Sequence, residues 1–414
     1  MIEKNTPKIV LALMLVFLLS VAHAVPRKGF DLFDLHADTI KNGVDSSKQI
    51  DAYDILGRIL HSKHNSGSRT KARRLIFAIV PSAGYTLTTG FAVDVTGNVA
   101  FYTIGSHQQN LSTIYEELIY DTNNQKISII RSNIWFGDNK YNLVSDVRWE
   151  RFPELTYGLG TMTDNNKSDN IDYEYIKFYP TLYRRIAGNY YVGAGYNLDY
   201  HYGITEVGNV DGTVSDFQKY GRYSTSSSSG VNVDFLYDSR KNSINPLGGS
   251  YASLILRQNA TFLGSNSGWQ SLFFDYRKYY KLSDRSNNIL AFWSMVWLTR
   301  GNVPYLDLPA TGTDMYNNSG RGYAEGRFRG KDMLYLEGEY RFGITHNGFI
   351  GGVVFANGES FTEYATNSFK RIAPAAGAGI RLKVNKHSNT NVCFDYAIGA
   401  YGSKGLFVNL GEVF

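Results

Sequence analysis

The residues in this 414-residue chain with the most chemical potential are charged side chains set two apart on extended segments. Arg321 precedes Gly322 and Tyr323 in a glycine-marked stretch, 320–330, that runs straight into the alternating segment 333–342. Leu334, Leu336, Tyr340 and Phe342 fall on one face of that segment, with Gly338 as a gap. Tyr335, Glu337, Glu339 and Arg341 fall on the other, as a period of two requires. An arginine can hold carboxylates through parallel N–H···O bonds, which fixes orientation as well as energy. A glycine beside it lets the backbone pass close to a wall. Asp238 and Arg240, followed by Pro246 and Gly249, admit two readings: a carboxylate activated by arginine, or a brace on one strand face beside a turn shaped by Pro246 and Gly248-Gly249. The brace is the expected one. His201, flanked by Tyr200 and Tyr202, is the only histidine well inside a predicted strand, and hydrolysis would need a nucleophile within its reach. No Cys/His cluster has zinc spacing, no glycine loop has the phosphate-binding pattern and no acidic loop has the EF-hand form, so neither metal nor cofactor is expected.

The elements that must position these residues are strands. Hydrophobic residues make up 43% and charged residues 19%, which excludes disorder and a helical membrane protein alike. Tyr 31, Phe 24 and Gly 41 against Pro 9 describe aromatic strands joined by glycine-bearing turns. The net charge of +5 is scattered among acidic residues, so nucleic acid is discounted as a partner. Lys4 and Lys8 precede an apolar run, 9–22, and Ala22-His23-Ala24 has the form of a signal-peptidase site. That run is about 14 residues, short of the roughly 20 a spanning helix needs, so 1–24 is read as a cleaved signal peptide. The lone Cys393 can form no disulfide within the chain. Residues 25–74 are expected to be a short periplasmic leader with one amphipathic helix, 51–61, where Ile55, Leu56, Ile59 and Leu60 share a face behind an Asp51 cap. A solvated linker is the alternative.

From Leu75 onward strand follows strand, with starts predicted near residues 75, 91, 111, 126, 141, 173, 190, 230, 250, 268, 289, 333, 349, 373, 390 and 406. Residues 75–414 allow about 21 residues for each strand and its connection, which suits membrane-crossing strands. Long connections (153–172, 206–229, 302–332, 357–371) alternate with short ones (137–140, 187–189, 345–347, 386–389). Long loops on one side and tight turns on the other mark an all-β, transmembrane antiparallel β-barrel in the outer membrane, with sixteen strands and fourteen as the alternative count. Segment 289–298 departs from the pattern, being apolar on both faces. Pro81 and Gly84 are expected to interrupt the first strand's ladder. The tyrosine and tryptophan surplus is read as an interfacial girdle.

From about Leu75 to its end the chain resembles the C-terminal barrel of the BamA/TamA family, the bacterial surface antigen domain of the outer-membrane assembly and secretion superfamily. Arg321-Gly322-Tyr323 resembles the Arg-Gly-Phe/Tyr signature of that family's sixth extracellular loop and lies in the sixth such loop predicted here. Asp238-Ser239-Arg240 with Asn242, Asn245-Pro246 and Gly249 resembles the turn after the eighth strand, and the terminal Phe414 resembles the C-terminal assembly signal. Three departures stand out. Asn357 replaces the carboxylate that meets the loop arginine, Glu412 stands where an aromatic is usual, and residues 25–74 leave no room for a POTRA domain, so the resemblance is to a barrel-only member. The resemblance implies that the loop folds into the barrel and that Arg321 pairs there with Glu339 or Glu337, with Asp275 and Asp395 as reserves, because an unpaired charge removed from water is costly. The bland alternative leaves Arg321, Arg327 and Arg329 as solvated loop charges of little energetic worth. The implied function is assistance in inserting or translocating proteins or lipids at the outer membrane, without enzymatic activity. Its implied partners are outer-membrane lipids, client outer-membrane proteins and a separate periplasmic protein. A passive channel or structural surface barrel is the first rival and a barrel-borne hydrolase the second.

Overall fold

The computed structural model describes residues 49–52, 54–55, 75–86, 90–103, 110, 112–221, 223–283, 286–364, 366–386 and 389–414. The expected signal peptide, most of the leader and residues 56–61 of its expected helix lie outside them. In chain order the strands are β1 (Leu75–Thr86), β2 (Gly90–Phe101), β3 (Ser112–Asp121), β4 (Lys126–Phe136), β5 (Tyr141–Arg151), β6 (Glu154–Thr156), β7 (Asp169–Ala187), β8 (Tyr190–Asn209) and β9 (Thr225–Asp238). They continue with β10 (Gly249–Asn259), β11 (Trp269–Lys281), β12 (Ile289–Gly301), β13 (Asp332–Gly343), β14 (Ile350–Glu363), β15 (Ser368–Phe369), β16 (Ala373–Asn385), β17 (Thr390–Gly399) and β18 (Lys404–Leu410).

Sixteen of these are long; β6 and β15 are short ladders at loop bases. Every long strand pairs antiparallel with the next, from β1 to β18. The sheet curls until β18 lies beside β1, with Cα atoms of the two within 8 Å. Among the described residues no ladder joins them: β1 pairs with β2 and β18 with β17.

Alternation along each strand sets its two faces. On β13, Tyr335, Glu337 and Glu339 are buried while Leu336 is 61% exposed, so the charged face is the inner one and the apolar face suits lipid. Strand β12 is the informative exception. Its inner face, Ile289, Ala291, Trp293 and Met295, belongs to one buried cluster with Tyr323, Phe328, Val413 and Phe414. Both faces are apolar because one meets lipid and the other a packed interior.

Three expectations change. Strands β7 and β8, of 19 and 20 residues, outrun a membrane span, so parts of 153–172 and 206–229 are ladder rather than loop. Likewise β14 extends to Glu363, which puts Asn357 on the barrel wall instead of in a loop. The β1–β2 register runs unbroken from Leu75↔Phe101 to Thr86↔Gly90 through Pro81 and Gly84. Pro81 is tolerated there because β1 carries a ladder on one side only.

Asp51 and Asp54 touch the short β16–β17 connection. Asp51 caps the residues after it, its Oδ1 accepting from Asp54 N at 2.9 Å. Its Oδ2 accepts from Lys386 N at 3.0 Å, and Asp54 pairs with Lys386 Nζ at 2.7 Å.

A packed lumen distinguishes itself from an open one by the cost of truncation. Trp293 packs on Tyr335 and Phe414 with ring centroids 5.1 and 5.2 Å away and donates to Asp275 at 2.9 Å. Trp293→Ala should cost about 3–5 kcal/mol in urea unfolding from vesicles followed by circular dichroism. The adjacent lipid-facing Phe292→Ala should cost markedly less; equal losses would mean the lumen is not packed.

Candidate functional site

The connection between β12 and β13, residues 302–331, enters the barrel rather than lying over it. Gly322 makes the close approach possible: its φ is +113°, and a Cβ there would sit 2.7 Å from that of Ala375. Three hydrogen bonds fasten its neighbourhood to the wall and to the β17–β18 turn. Asn357 Nδ2 donates to Arg321 O at 2.9 Å, Ser403 Oγ to Gly322 O at 2.6 Å, and Tyr323 Oη to Pro374 O at 2.7 Å. The amide at position 357 thus holds the loop's backbone instead of its charge.

Arg321 is 2% exposed. Its Nη2 donates to both Glu337 and Glu339, its Nη1 reaches Asp395 Oδ2 at 2.5 Å, and the Phe355 ring lies 3.6 Å from the guanidinium carbon. The carboxylates are shared in turn. Arg341 holds Glu339 at 2.7 Å, Arg381 holds Asp395, and Glu412 lies 2.9 Å from Arg381 and 3.7 Å from Arg341. Three guanidinium groups and four carboxylates therefore form one buried network.

The rest of the loop is fastened as well. Arg329 pairs with Glu154 at 3.2 Å, and Gly160 N donates to Arg329 O at 2.7 Å. Arg327 donates to Thr163 Oγ1 at 2.6 Å. None of the three arginines is a solvated loop charge, since Arg327 and Arg329 are also buried. Outer loops interlock above them. Thr161 N and Met162 N donate to Glu363, Leu159 N donates to Asp216, and the Tyr220 ring lies tilted on that of Tyr364 with centroids 4.1 Å apart.

The other sequence candidates fall elsewhere. Asp275 is no reserve for Arg321: Arg277, two positions along the same strand, takes it at 2.7 Å, with Trp293 as second donor. Asp238 and Arg240 pair at 2.9 Å, and Tyr251 lies beneath the guanidinium. Gly249, with φ +97°, cannot carry a Cβ without meeting Ser239 O at 2.8 Å. Pro246 lies in a turn whose neighbour Asn245 donates to Asn389 O at 3.1 Å, so the turn reaches across to the β16–β17 connection. Phe414 is buried beside Trp293, and its carbonyl accepts from Arg341 at 2.8 Å. His201 faces inward with Nδ1 3.7 Å from Asp307, but Ser228 donates to Asp307 rather than to the histidine, so the hydrolase geometry is not assembled there. Among the described residues no group of three or more His, Cys, Asp or Glu is arranged to hold a metal ion.

Sequence reading missed Arg341, Arg381 and Glu412 as members of the network. A signal for part of it was present: an acid two residues before an arginine recurs at Asp146-Arg148, Asp238-Arg240, Asp275-Arg277 and Glu339-Arg341, and each pair is bonded.

Sixteen long antiparallel strands around an inward loop fastened by arginine and carboxylates define an outer-membrane β-barrel of the assembly and secretion class. The chain belongs to the Omp85 superfamily: residues 113–412 match the Omp85 superfamily domain. That family is involved in outer-membrane protein insertion or secretion and is generally non-enzymatic. In fold the chain is similar to BamA from Haemophilus ducreyi lacking POTRA domains 1–3, at 15% identity and a TM-score of 0.53, covering 81% of this chain and 70% of that one. It is also similar to CdiB from Acinetobacter baumannii (12% identity, TM-score 0.51, covering 82% of this chain and 60% of that one). CdiB from Escherichia coli is comparable (9% identity, TM-score 0.53, 83% and 63%). The chain thus spans less than two thirds of either CdiB. No curated protein matches the sequence.

Arg321→Ala would leave Glu337, Glu339 and Asp395 without the cation between them. Loss of a buried partner costs about 3–5 kcal/mol. Limited proteolysis should cut residues 311–330 in the variant and spare them in the wild type; equal protection would sink the idea that this arginine retains the loop. A second handle is Glu325 on the same loop. Burial first, then the neighbouring carboxylates of Glu150 and Glu154, push its pKa up to about 8, with Asn317 donating to it and Arg148 only partly offsetting them. The folded state thus favours the protonated acid, and its contribution to holding the loop is complete below the ordinary carboxylate range and lost as pH rises through about 8. Protease release of the loop should increase with pH over that window, and Glu325→Gln should flatten the dependence.

Proposed function

We propose that this protein assists insertion or translocation of proteins, or of lipids, at the outer membrane, using the unpaired edge between β1 and β18 as its working surface. The observation that carries this reading is the juxtaposition of that edge with a filled lumen: β18 lies beside β1 with no ladder between them among the described residues, while the loop bearing Arg321 occupies the interior. An unsatisfied strand edge in hydrocarbon is costly unless another strand can pair with it. A client strand offers such pairing, whereas a solute seeking a pore meets packed aromatic residues. The passive-channel reading fits a filled lumen poorly. In this reading a separate periplasmic protein delivers the client to the short-turn rim, and the Arg321 network keeps the loop in place while the edge works.

The test is insertion of a small test barrel into liposomes carrying the purified protein, with conductance measured in parallel for wild type and Arg321→Ala. Expected are faster insertion than in empty liposomes, small rare openings in the wild type, and larger openings with reduced insertion in the variant. Large steady pores indifferent to the substitution, with no gain in insertion, would replace this reading with a plain channel.

A further inference from the structure

Glu412 follows the edge strand β18, and its contacts reach into the charged network around Arg321. After β18 the chain turns inward at Gly411, whose N donates to Asn391 O at 2.8 Å. Glu412 N then donates to Ile244 O at 2.9 Å, on the turn between β9 and β10. The side chain accepts from Asn391 Nδ2 at 2.7 Å and from Arg381 Nε at 2.9 Å, with Arg341 Nε 3.7 Å away. One residue on, Val413 O accepts from Asn318 Nδ2 of the inward loop at 2.9 Å.

Arg341 and Arg381 are the two guanidinium groups that also hold Glu339 and Asp395, which are carboxylates of Arg321. We propose that Glu412 is a positioning residue that couples β18, the edge strand, to the inward loop through Arg341 and Arg381. With Glu412 neutralised, the carboxylate side chains left to those two arginines are Glu339 and Asp395, for which they compete with Arg321, and Arg341 keeps besides its bond to Phe414 O. Drawing β18 outward removes Glu412 from both arginines and Val413 from Asn318 at once. The loop and the edge strand therefore loosen together. An aromatic side chain at position 412 could pack, but it could not share two buried cations. This inference rests on reading the β1–β18 edge as the working surface, and its test does not depend on any client.

Hydrogen exchange read by mass spectrometry on the full chain in lipid nanodiscs, for wild type, Glu412→Gln, Arg321→Ala and the double variant, decides it. Glu412→Gln should speed exchange at least about tenfold in 311–330 as well as in β18, because local opening sets the rate. Arg321→Ala should speed exchange in β18, and the double variant should exceed neither single variant by much. An effect of Glu412→Gln confined to 404–414, or additive effects, would overturn the coupling. Should Glu412→Gln fail to give a folded, heat-modifiable barrel, Glu412→Asp, which keeps the charge but draws it back from both arginines, replaces it, and unchanged exchange in 311–330 would then overturn the coupling. Absent client insertion by the wild type would defeat the proposed function and leave the exchange result standing on its own.

Discussion

A guanidinium taken out of water must find its counter-charges nearby, and the position of Arg321 obliges much of this barrel to supply them. Glu337 and Glu339 come from β13 and Asp395 from β17, two strands that are not neighbours in the sheet. The inward loop is thus braced by charge against the stretch of wall from β13 to β17, as a strut bears on its support. Pairing of this kind adds little net stability compared with apolar packing of similar volume, but breaking it is expensive. The network is therefore better understood as selecting one loop position than as strengthening the fold.

Around that strut the lumen is divided in character. On the β12 side the loop is met by aromatic and aliphatic side chains, with Trp293, Tyr335, Phe328 and Phe414 in one cluster. Toward β5 it is met by polar groups: Arg148 donates to Met315 O at 2.7 Å and to Asn317 at 3.0 Å. One segment is held by packing on one flank and by hydrogen bonds on the other. The former is indifferent to salt, and the latter is shielded from it by burial.

Much of this was legible in the sequence, and the failures have physical causes. Period-two alternation located the strands and assigned Glu337 and Glu339 to the inner face of β13, because the side chains of a strand have only two faces to choose between. The glycine beside Arg321 pointed to a close approach, which the Ala375 contact realises. Partner choice inside the barrel was harder to read. Asp275 and Asp395 looked equivalent as inward carboxylates, yet an arginine two positions along claims the first, while the second lies against Arg321 on the same stretch of wall as Glu337 and Glu339. Loop boundaries were misplaced because β7, β8 and β14 continue pairing beyond a membrane span, and nothing in composition marks where lipid ends. The inward turn at Gly411 was invisible because it depends on Ile244 and Asn391, which are remote in the chain.

The distribution of the buried charges also bears on how such a chain can be built. All seven members of the Arg321 network lie between residues 321 and 412, on the loop, β13, β16, β17 and the tail. An assembly intermediate that laid down β13 or β17 in hydrocarbon before the loop arrived would expose carboxylates where they are least tolerated. The stretch 321–412 is therefore expected to gather as one unit in an aqueous setting, with the earlier strands wrapping around it afterwards. In that order of events the strut is a folding nucleus before it is a lock, and pulse-labelled exchange would find β13 and β17 acquiring protection in a single step.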